Sequence, residues 1–294
     1  MKQAILISTG LLLTTPFIHA EKNKDKKPNV VFILADDLGY GDLSCYGQEK
    51  FETPNIDKLA QSGMRFTQCY SGTTVSAPSR SCLLTGTHSG HTPVRGNLEL
   101  DPEGQFPLPD DARTIFEVMK AEGYDTSAFG RCGQGYIGST DDPKNQGCDT
   151  FYGYNCQLLA HSYYPDHLWD NDKRVELEDN NLNVQYGKGT YSQDLIHGKA
   201  LKYLDNMNPD EPFFMWYPTI IPHAELIVPE DSIIQKFRGM YPEKPYKGTE
   251  PGSPAFRKGG YCSQFHPHAT FAAMVYRLDV YVGQIIQKLK DKGL

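Results

Sequence analysis

The stretch NVVFILADD, residues 29–37, decides the fold class. From Asn29 to Ala35 it is a β-branched and apolar run, as expected for a strand buried on both faces of a sheet. Functional groups in open α/β sheets gather at the carboxyl ends of strands, where Asp36 and Asp37 fall. Two adjacent carboxylates repel each other unless a cation or a hydrogen-bond network holds them, and hard cations such as calcium take oxygen ligands of this kind. Exposed turn acids are the alternative interpretation.

Downstream of this run, helical and strand patterns alternate along the chain. Helices are predicted for residues 53–63, 114–122, 192–206 and 267–289, and strands for residues 64–70, 124–129 and 211–217. Such alternation indicates an α/β fold with a largely parallel sheet flanked by helices. Residues 130–189 are interpreted as a long loop-rich excursion, and residues 228–264 as extended surface.

The stretch SAPSRSCLLTG, residues 76–86, places a hydroxyl residue at the start of a predicted helix. Proline is favoured at the first helical position, so Pro78 puts Ser76 just outside the helix N-terminus. There, free backbone N–H groups and the helix dipole favour an anion. Arg80 lies about one turn into the helix and can point back toward the same place. The stretch therefore predicts a pocket for a tetrahedral oxyanion, with a helix N-cap as the alternative role of Ser76.

The composition is that of an acidic globular protein. Its 294 residues carry a formal net charge of −7. Nucleic acid is therefore excluded as the main partner, because binding a phosphate backbone requires a basic face. The seven cysteines are too sparse and irregular for a disulfide scaffold or a zinc ribbon. Most of them are expected to be buried thiols, with a disulfide among them left open.

The N-terminus has the pattern of a secretory signal peptide, predicted for residues 1–20. Its apolar run ends at Ile18 and is too short and too interrupted for a membrane span, and no second apolar span follows. Residues 21–28 are interpreted as a solvated linker, and residues 29–294 as the folded domain. These features predict a bacterial protein of the periplasm or the extracellular medium, with no membrane span after signal cleavage.

Taken together, several stretches closely resemble the type I, formylglycine-dependent sulfatases of the alkaline-phosphatase-like superfamily. The resemblance rests on residues 29–37, TPNID at 53–57, SAPSR at 76–80, LLTG at 83–86, GYNC at 153–156, PHAEL at 222–226 and the helix from Pro267. These stretches follow the order of the family and extend over nearly all of residues 29–294. That range is thereby identified as the N-terminal portion of a sulfatase catalytic domain.

The resemblance implies a serine-type enzyme that hydrolyses sulfate esters of a small molecule or a glycan. A separate maturation enzyme would oxidise Ser76 to formylglycine (3-oxoalanine). One hydroxyl of its hydrate attacks sulfur and the other later releases sulfate, whereas a plain serine is a weak nucleophile without an activating base. Calcium, held partly by Asp36, Asp37 and Ser76, would polarise the sulfate oxygens.

Four further positions receive roles from the same resemblance. Arg80 would stabilise the hydrate, and His223 would contact sulfate. His161 would be a candidate acid for the leaving alcohol. Without the resemblance, each of these two histidines would more often be structural. Arg131 stands where the family usually carries the lysine of a Gly-Lys-Trp motif, and a planar fork is not equivalent to a compact ammonium.

The resemblance also implies elements that are not found in this sequence. Family members continue through a strand with an Asp-Asn pair that completes the calcium site, and then into a smaller C-terminal subdomain. We therefore expect the catalytic domain in residues 29–294 to be truncated, to bind its metal weakly and to show little turnover. Two alternatives stay open. One is a phosphodiesterase or phosphonate hydrolase of the same superfamily. The other is a non-catalytic sulfoglycan-binding remnant, which Arg131 and the missing Asp-Asn pair favour.

Overall fold

A computed structural model describes residues 26–180, 188–249 and 260–294. Its strands are β1 (Val30–Asp36), β2 (Asp125–Arg131), β3 (Thr150–Tyr154), β4 (His167–Asp170), β5 (Lys173–Glu176) and β6 (Phe213–Pro222). Its α-helices are α1 (Pro54–Ser62), α2 (Ser76–Thr85), α3 (Ile115–Ala121), α4 (Ser192–Asn206), α5 (Ser232–Phe237) and α6 (Pro267–Lys292). The signal peptide and most of the linker lie outside the described residues and stay predictions.

The strands form a six-stranded sheet in the order β1-β6-β2-β3-β4-β5. The first four strands in this order are parallel, and β4 and β5 add antiparallel pairs at one edge. Parallel neighbours require long crossover connections, which the helices provide here. The largely parallel sheet flanked by helices that the sequence predicts is therefore confirmed.

The larger core lies between one face of the sheet and helices α4, α5 and α6. Side chains alternate between the two faces along a strand, and Met215 and Tyr217 of β6 point into this core. On α6, apolar side chains three or four positions apart, such as Met274 and Leu278, are buried against it. The helix predicted for residues 267–289 is confirmed and continues to Lys292.

A smaller core lies on the opposite face of the sheet, under α2 and α3. The alternate residues Phe214 and Trp216 of β6 pack there against Phe116 of α3, with ring centroids 5.5 and 5.7 Å apart. At its margin, Phe32 of β1 and Leu83 of α2 remain 39% and 36% exposed. Within the described residues, this face of the sheet is only partly covered.

Three predictions for the regions between the long elements are wrong. Residues 64–70 form no strand, because their alternating pattern has no neighbouring strand to pair with, and Phe66 and Tyr70 are exposed. The segment 130–189 contains β3, β4 and β5, whose four or five residues are too few to give a clear alternation. The segment 228–264 contains the short helix α5.

The thiols agree with the sequence prediction. All seven cysteines are free, and five of them are buried. None of the helices within residues 26–180, 188–249 and 260–294 combines the length and apolar character that crossing a bilayer requires.

Candidate active site

Helix α2 begins at Ser76 itself, so Pro78 is its third residue and not its first. The N-cap residue is Val75, whose side chain makes no capping bond. Asn97 takes over that role, because its Oδ1 accepts a hydrogen bond from the backbone N–H of Ala77 at 3.0 Å. The N-cap interpretation of Ser76 is therefore wrong, and its hydroxyl has other partners.

Those partners are two arginines that also share one carboxylate. Ser76 Oγ accepts hydrogen bonds from Arg131 Nη2 at 2.5 Å and from Arg80 Nε at 3.2 Å. Asp36 Oδ2, at the end of β1, accepts from Arg131 Nη1 at 2.6 Å and from Arg80 Nη2 at 3.2 Å. Both guanidinium groups thus bridge the serine oxygen and the carboxylate. The Arg80 side chain points back toward Ser76, as the sequence predicts.

This cluster carries one net positive charge in a buried setting. Burial favours the neutral form of Asp36, but the charges of Arg131 and Arg80 outweigh it and hold the pKa of the carboxyl below its usual value. Burial, together with the like charge of Arg131, lowers the pKa of Arg80 to about 10, which leaves it charged at neutral pH. The site is therefore electrostatically prepared to receive an anion.

A glycine-rich turn closes over the two guanidinium groups. Gly133, with φ +78°, lies so close that a Cβ there would approach Arg80 Cδ to 2.8 Å and Arg131 Nε to 3.4 Å. A Cβ on Gly130 would meet the carbonyl oxygen of Pro218 at 2.1 Å. Arg131 is fully buried, and its Nε has no hydrogen-bond partner among the described residues.

Two histidines form the second part of the site. His223 directly follows β6, as predicted, and its Nε2 lies 3.5 Å from Asp37 Oδ2. The ring of His161 stacks on that of His223, with centroids 5.4 Å apart and planes 8° apart, and Tyr261 contacts both rings edge-on. Desolvation, aided by the charge of Arg131, lowers the pKa of His161 to about 4, so it is neutral at neutral pH.

The structure brings all of the predicted site residues together. A cavity of about 420 Å³ is lined by Asp36, Asp37, Ser76, Arg80 and His223, among other residues. Arg131 contacts Ser76 and Asp36 without lining this cavity, and His161 stacks on His223 but lines a second cavity of about 390 Å³.

Three further residues of this site carry no clear signal in the sequence. Asn97 and Gln157 line the cavity, and Tyr261 supports the histidine pair. Asn97 lies in an irregular segment with no motif around it. Gln157 does follow the GYNC stretch by one position, which is the one signal that could have identified it.

The donor set fits calcium in chemical type but supplies only part of a coordination shell. The carboxylates of Asp36 and Asp37 and the hydroxyl of Ser76 are hard oxygen donors, and calcium takes about six to eight of these. No group of three or more His, Cys, Asp or Glu residues that could hold a metal ion occurs in the described ranges. Both arginine contacts to Asp36 fall on Oδ2 and leave Oδ1 to other partners.

Comparison with known proteins matches this architecture. The family model described as Sulfatase matches residues 28–294. An N-acetylglucosamine-6-O-sulfatase of Bacteroides thetaiotaomicron is 29% identical over 219 residues, which are 74% of this chain and 35% of that protein. An arylsulfatase of Klebsiella aerogenes is 30% identical over 260 residues, which are 82% of this chain and 52% of that protein. The chain thus spans about half, or less, of the length of these relatives.

Solved structures share the fold over most of the chain. The crystal structure of Ps i-CgsB in complex with k-i-k-neocarrahexaose has a TM-score of 0.71 and 25% identity, over 91% of this chain and 56% of that chain. The phosphonate monoester hydrolase of Agrobacterium radiobacter has a TM-score of 0.59 and 21% identity, over 91% of this chain and 60% of that chain, a likeness of fold alone.

Proposed function

The chain belongs to the sulfatase family, and from that premise we propose that it hydrolyses sulfate esters through a formylglycine derived from Ser76. The observation that carries this proposal is the position of Ser76 Oγ, which two buried guanidinium groups contact at the first turn of α2. Both partners are cations, which stabilise an oxyanion but cannot remove a proton from a serine hydroxyl. An unmodified serine held in this way lacks the activation that nucleophilic attack requires.

The formylglycine would supply a hydrated aldehyde, whose two hydroxyls provide a nucleophile and a way to release sulfate. Arg80 and Arg131 would hold the oxygen at this position and favour its deprotonated form. They also offset the negative charge that develops on the sulfate oxygens during transfer. The N-terminal N–H groups of α2 add a favourable field for the same anion.

The histidine pair would serve the leaving group. His223 lines the cavity and would contact sulfate, and His161 would donate a proton to the departing alcohol. In the free protein, desolvation and the charge of Arg131 keep the pKa of His161 near 4. A bound sulfate would offset that charge and move the pKa of His161 upward, toward the range in which it can act as an acid.

Calcium would supply further positive charge to the sulfate oxygens. Asp36 and Asp37 would hold it, with the oxygen at position 76 as a further ligand. Asp37 reaches the cavity from a left-handed backbone conformation, with φ 59°, that directly follows the last strand residue of β1. This turn places two consecutive carboxylates beside the same cavity.

We propose a sulfated glycan as the substrate class, on the basis of two curated relatives and of the structure in complex with k-i-k-neocarrahexaose. The N-acetylglucosamine-6-O-sulfatase is one such relative, and an ulvan-active sulfatase of Formosa agariphila is 29% identical over 299 residues, 99% of this chain and 53% of that protein. A small aryl sulfate is the second possibility, supported by the arylsulfatase of Klebsiella aerogenes. A periplasmic or secreted location, reached through the predicted signal peptide, would suit a polysaccharide substrate.

The test begins with the mass of the peptide that carries Ser76. Expression beside a serine-type formylglycine-maturation enzyme should yield a tryptic peptide, residues 66–80, that is lighter by two hydrogens than the unmodified form. The modified chain should then release sulfate from 4-nitrophenyl sulfate or glucosamine 6-sulfate, at the low turnover expected from the sequence, and the Ser76→Ala variant should release none. An unmodified peptide under these conditions would favour the non-catalytic sulfoglycan-binding alternative.

A phosphonate or phosphodiester substrate is the alternative, because the phosphonate monoester hydrolase of Agrobacterium radiobacter shows that the same fold can serve another reaction. Sulfate and phosphate esters are close in shape, and a cationic pocket attracts both. Assaying a sulfate ester beside a phosphonate monoester of the same alcohol separates the two reactions. Faster release from the phosphonate would replace the proposed sulfatase activity.

A further inference from the structure

Arg131 makes two contacts through the two ends of one rigid fork, a geometry that a lysine does not reproduce. Its fork joins Asp36 Oδ2 at 2.6 Å to Ser76 Oγ at 2.5 Å, and the side chain is fully buried. A lysine ammonium is a compact point charge on a flexible stem, so it can move from one partner to the other. The guanidinium instead spans the nucleophile position and a proposed metal ligand in one rigid plane.

We propose that Arg131 sets the affinity of the Asp36–Asp37 pair for a divalent cation by competing with that cation for Asp36. This inference rests on the proposed function, since it concerns the same pair of carboxylates. Asp36 Oδ2 already accepts hydrogen bonds from two guanidinium groups. A cation bound through this carboxylate would lie within a few ångströms of both positive charges, where screening by water is weak.

The surroundings of Arg131 resist its withdrawal from Asp36. Arg80 Nη1 donates to the backbone carbonyl of Arg131 at 2.9 Å, and Gly133 closes against both arginine side chains. Gly130, one residue earlier, lies against the carbonyl of Pro218 with no room for a Cβ. The guanidinium is therefore held in place by packing as well as by charge, and a cation must overcome both.

The same geometry favours anions. Arg131 does not line the cavity, but its positive charge acts there across Ser76 and Asp36, where screening by water is weak. Arg131 thus shifts the balance of the cavity toward anion binding and away from cation binding.

The experiment is calorimetric titration of calcium chloride into the purified, unmodified chain and three variants. Arg131→Lys keeps the charge but replaces the rigid fork with a mobile ammonium that can withdraw from Asp36, and Arg131→Met removes the charge on a stem of similar length. Arg238→Met is the matched control, because it removes one positive charge from an exposed pair with Glu230. The expected calcium affinity rises about tenfold in Arg131→Lys and about a hundredfold in Arg131→Met, and is unchanged in Arg238→Met.

A double variant locates the bound cation. Asp36→Asn in the Arg131→Met background should lose the gained affinity, and circular dichroism should confirm that every variant is folded. The thermal midpoint of Arg131→Met should also rise with calcium more than that of the parent chain.

Three outcomes would overturn the proposal: equal calcium affinity in the parent and both Arg131 variants, tightest binding in the parent, or binding in none of them. No turnover is measured, so failure of this test is separate from failure of sulfate-ester hydrolysis.

Discussion

The two faces of the sheet differ in how completely they are packed. On one face, α4, α5 and α6 cover the strands, and side chains such as Leu278 are buried. On the other, α2 and α3 form a smaller core with Leu83 and Phe32 more than one third exposed at its margin. Yet α2, on the less covered face, carries Ser76 and Arg80. We therefore expect stability and the proposed chemistry to depend on different parts of the fold, and mutations can test this separation.

The largest expected effect comes from truncation on the well-packed face. Leu278→Ala should reduce the free energy of unfolding by about 2–5 kcal/mol, because it leaves a cavity in a core that can relax only partly. Chemical denaturation followed by circular dichroism measures this loss. A cost below about 1 kcal/mol would mean that this face is no better packed than the other.

The next largest effect is expected on activity, from a substitution on α2. If the proposed hydrolysis is confirmed, Arg80→Lys should lower kcat about 100- to 1,000-fold, since a lysine cannot contact both Ser76 and Asp36 with a planar fork. The control is Arg238→Lys, at an exposed ion pair that does not line the cavity. Chemical denaturation of both variants separates lost chemistry from lost stability. Activity within about threefold of the parent chain would place Arg80 outside the catalytic machinery.

A smaller effect is expected from pH, through His161. Its pKa falls from an ordinary value of 6.5 to about 4 in the folded chain, first because of desolvation and then because of Arg131. Between these two values the unfolded chain binds the proton more tightly, so folding stability decreases as the pH falls through this range.

The comparison between the parent chain and His161→Gln isolates this contribution. The parent should lose about 2 kcal/mol more than the variant between pH 7 and pH 5, as measured by denaturant titration at each pH. Equal losses in the two proteins would show that His161 protonates in the folded state as readily as in the unfolded state.

The sequence predicted best what is long or what lies next to a strand end. The seven-residue run of β1 and the 26-residue helix α6 have clear periodic patterns. Asp36 and His223 are identified because each lies at the carboxyl end of a strand. The prediction that residues 29–35 are buried on both faces is wrong, because β1 lies at the edge of the described sheet and is only partly buried. Arg80 is identified because one helical turn joins it to Ser76.

What the sequence could not predict depends on contacts between distant segments. The capping of α2 comes from Asn97, twenty residues after Ala77 and in an irregular loop. The double contact of Arg131 requires the ends of β1, α2 and β2 to meet at one point. The lowered pKa of His161 has the same origin, since burial and Arg131 come from other segments.

The smallest expected effect is on the less covered face, at the same helix that carries the site. Leu83→Ala should cost less than about 1 kcal/mol of unfolding free energy, because a side chain already 36% exposed loses little burial. Activity should be retained, since Asn97 and the two arginine contacts, and not Leu83, fix the first turn of α2. Denaturation beside Leu278→Ala, with sulfate release as the second readout, measures both. A cost equal to that of Leu278→Ala would remove the difference between the faces. Lost activity with unchanged stability would mean that packing at the far end of α2 positions Ser76.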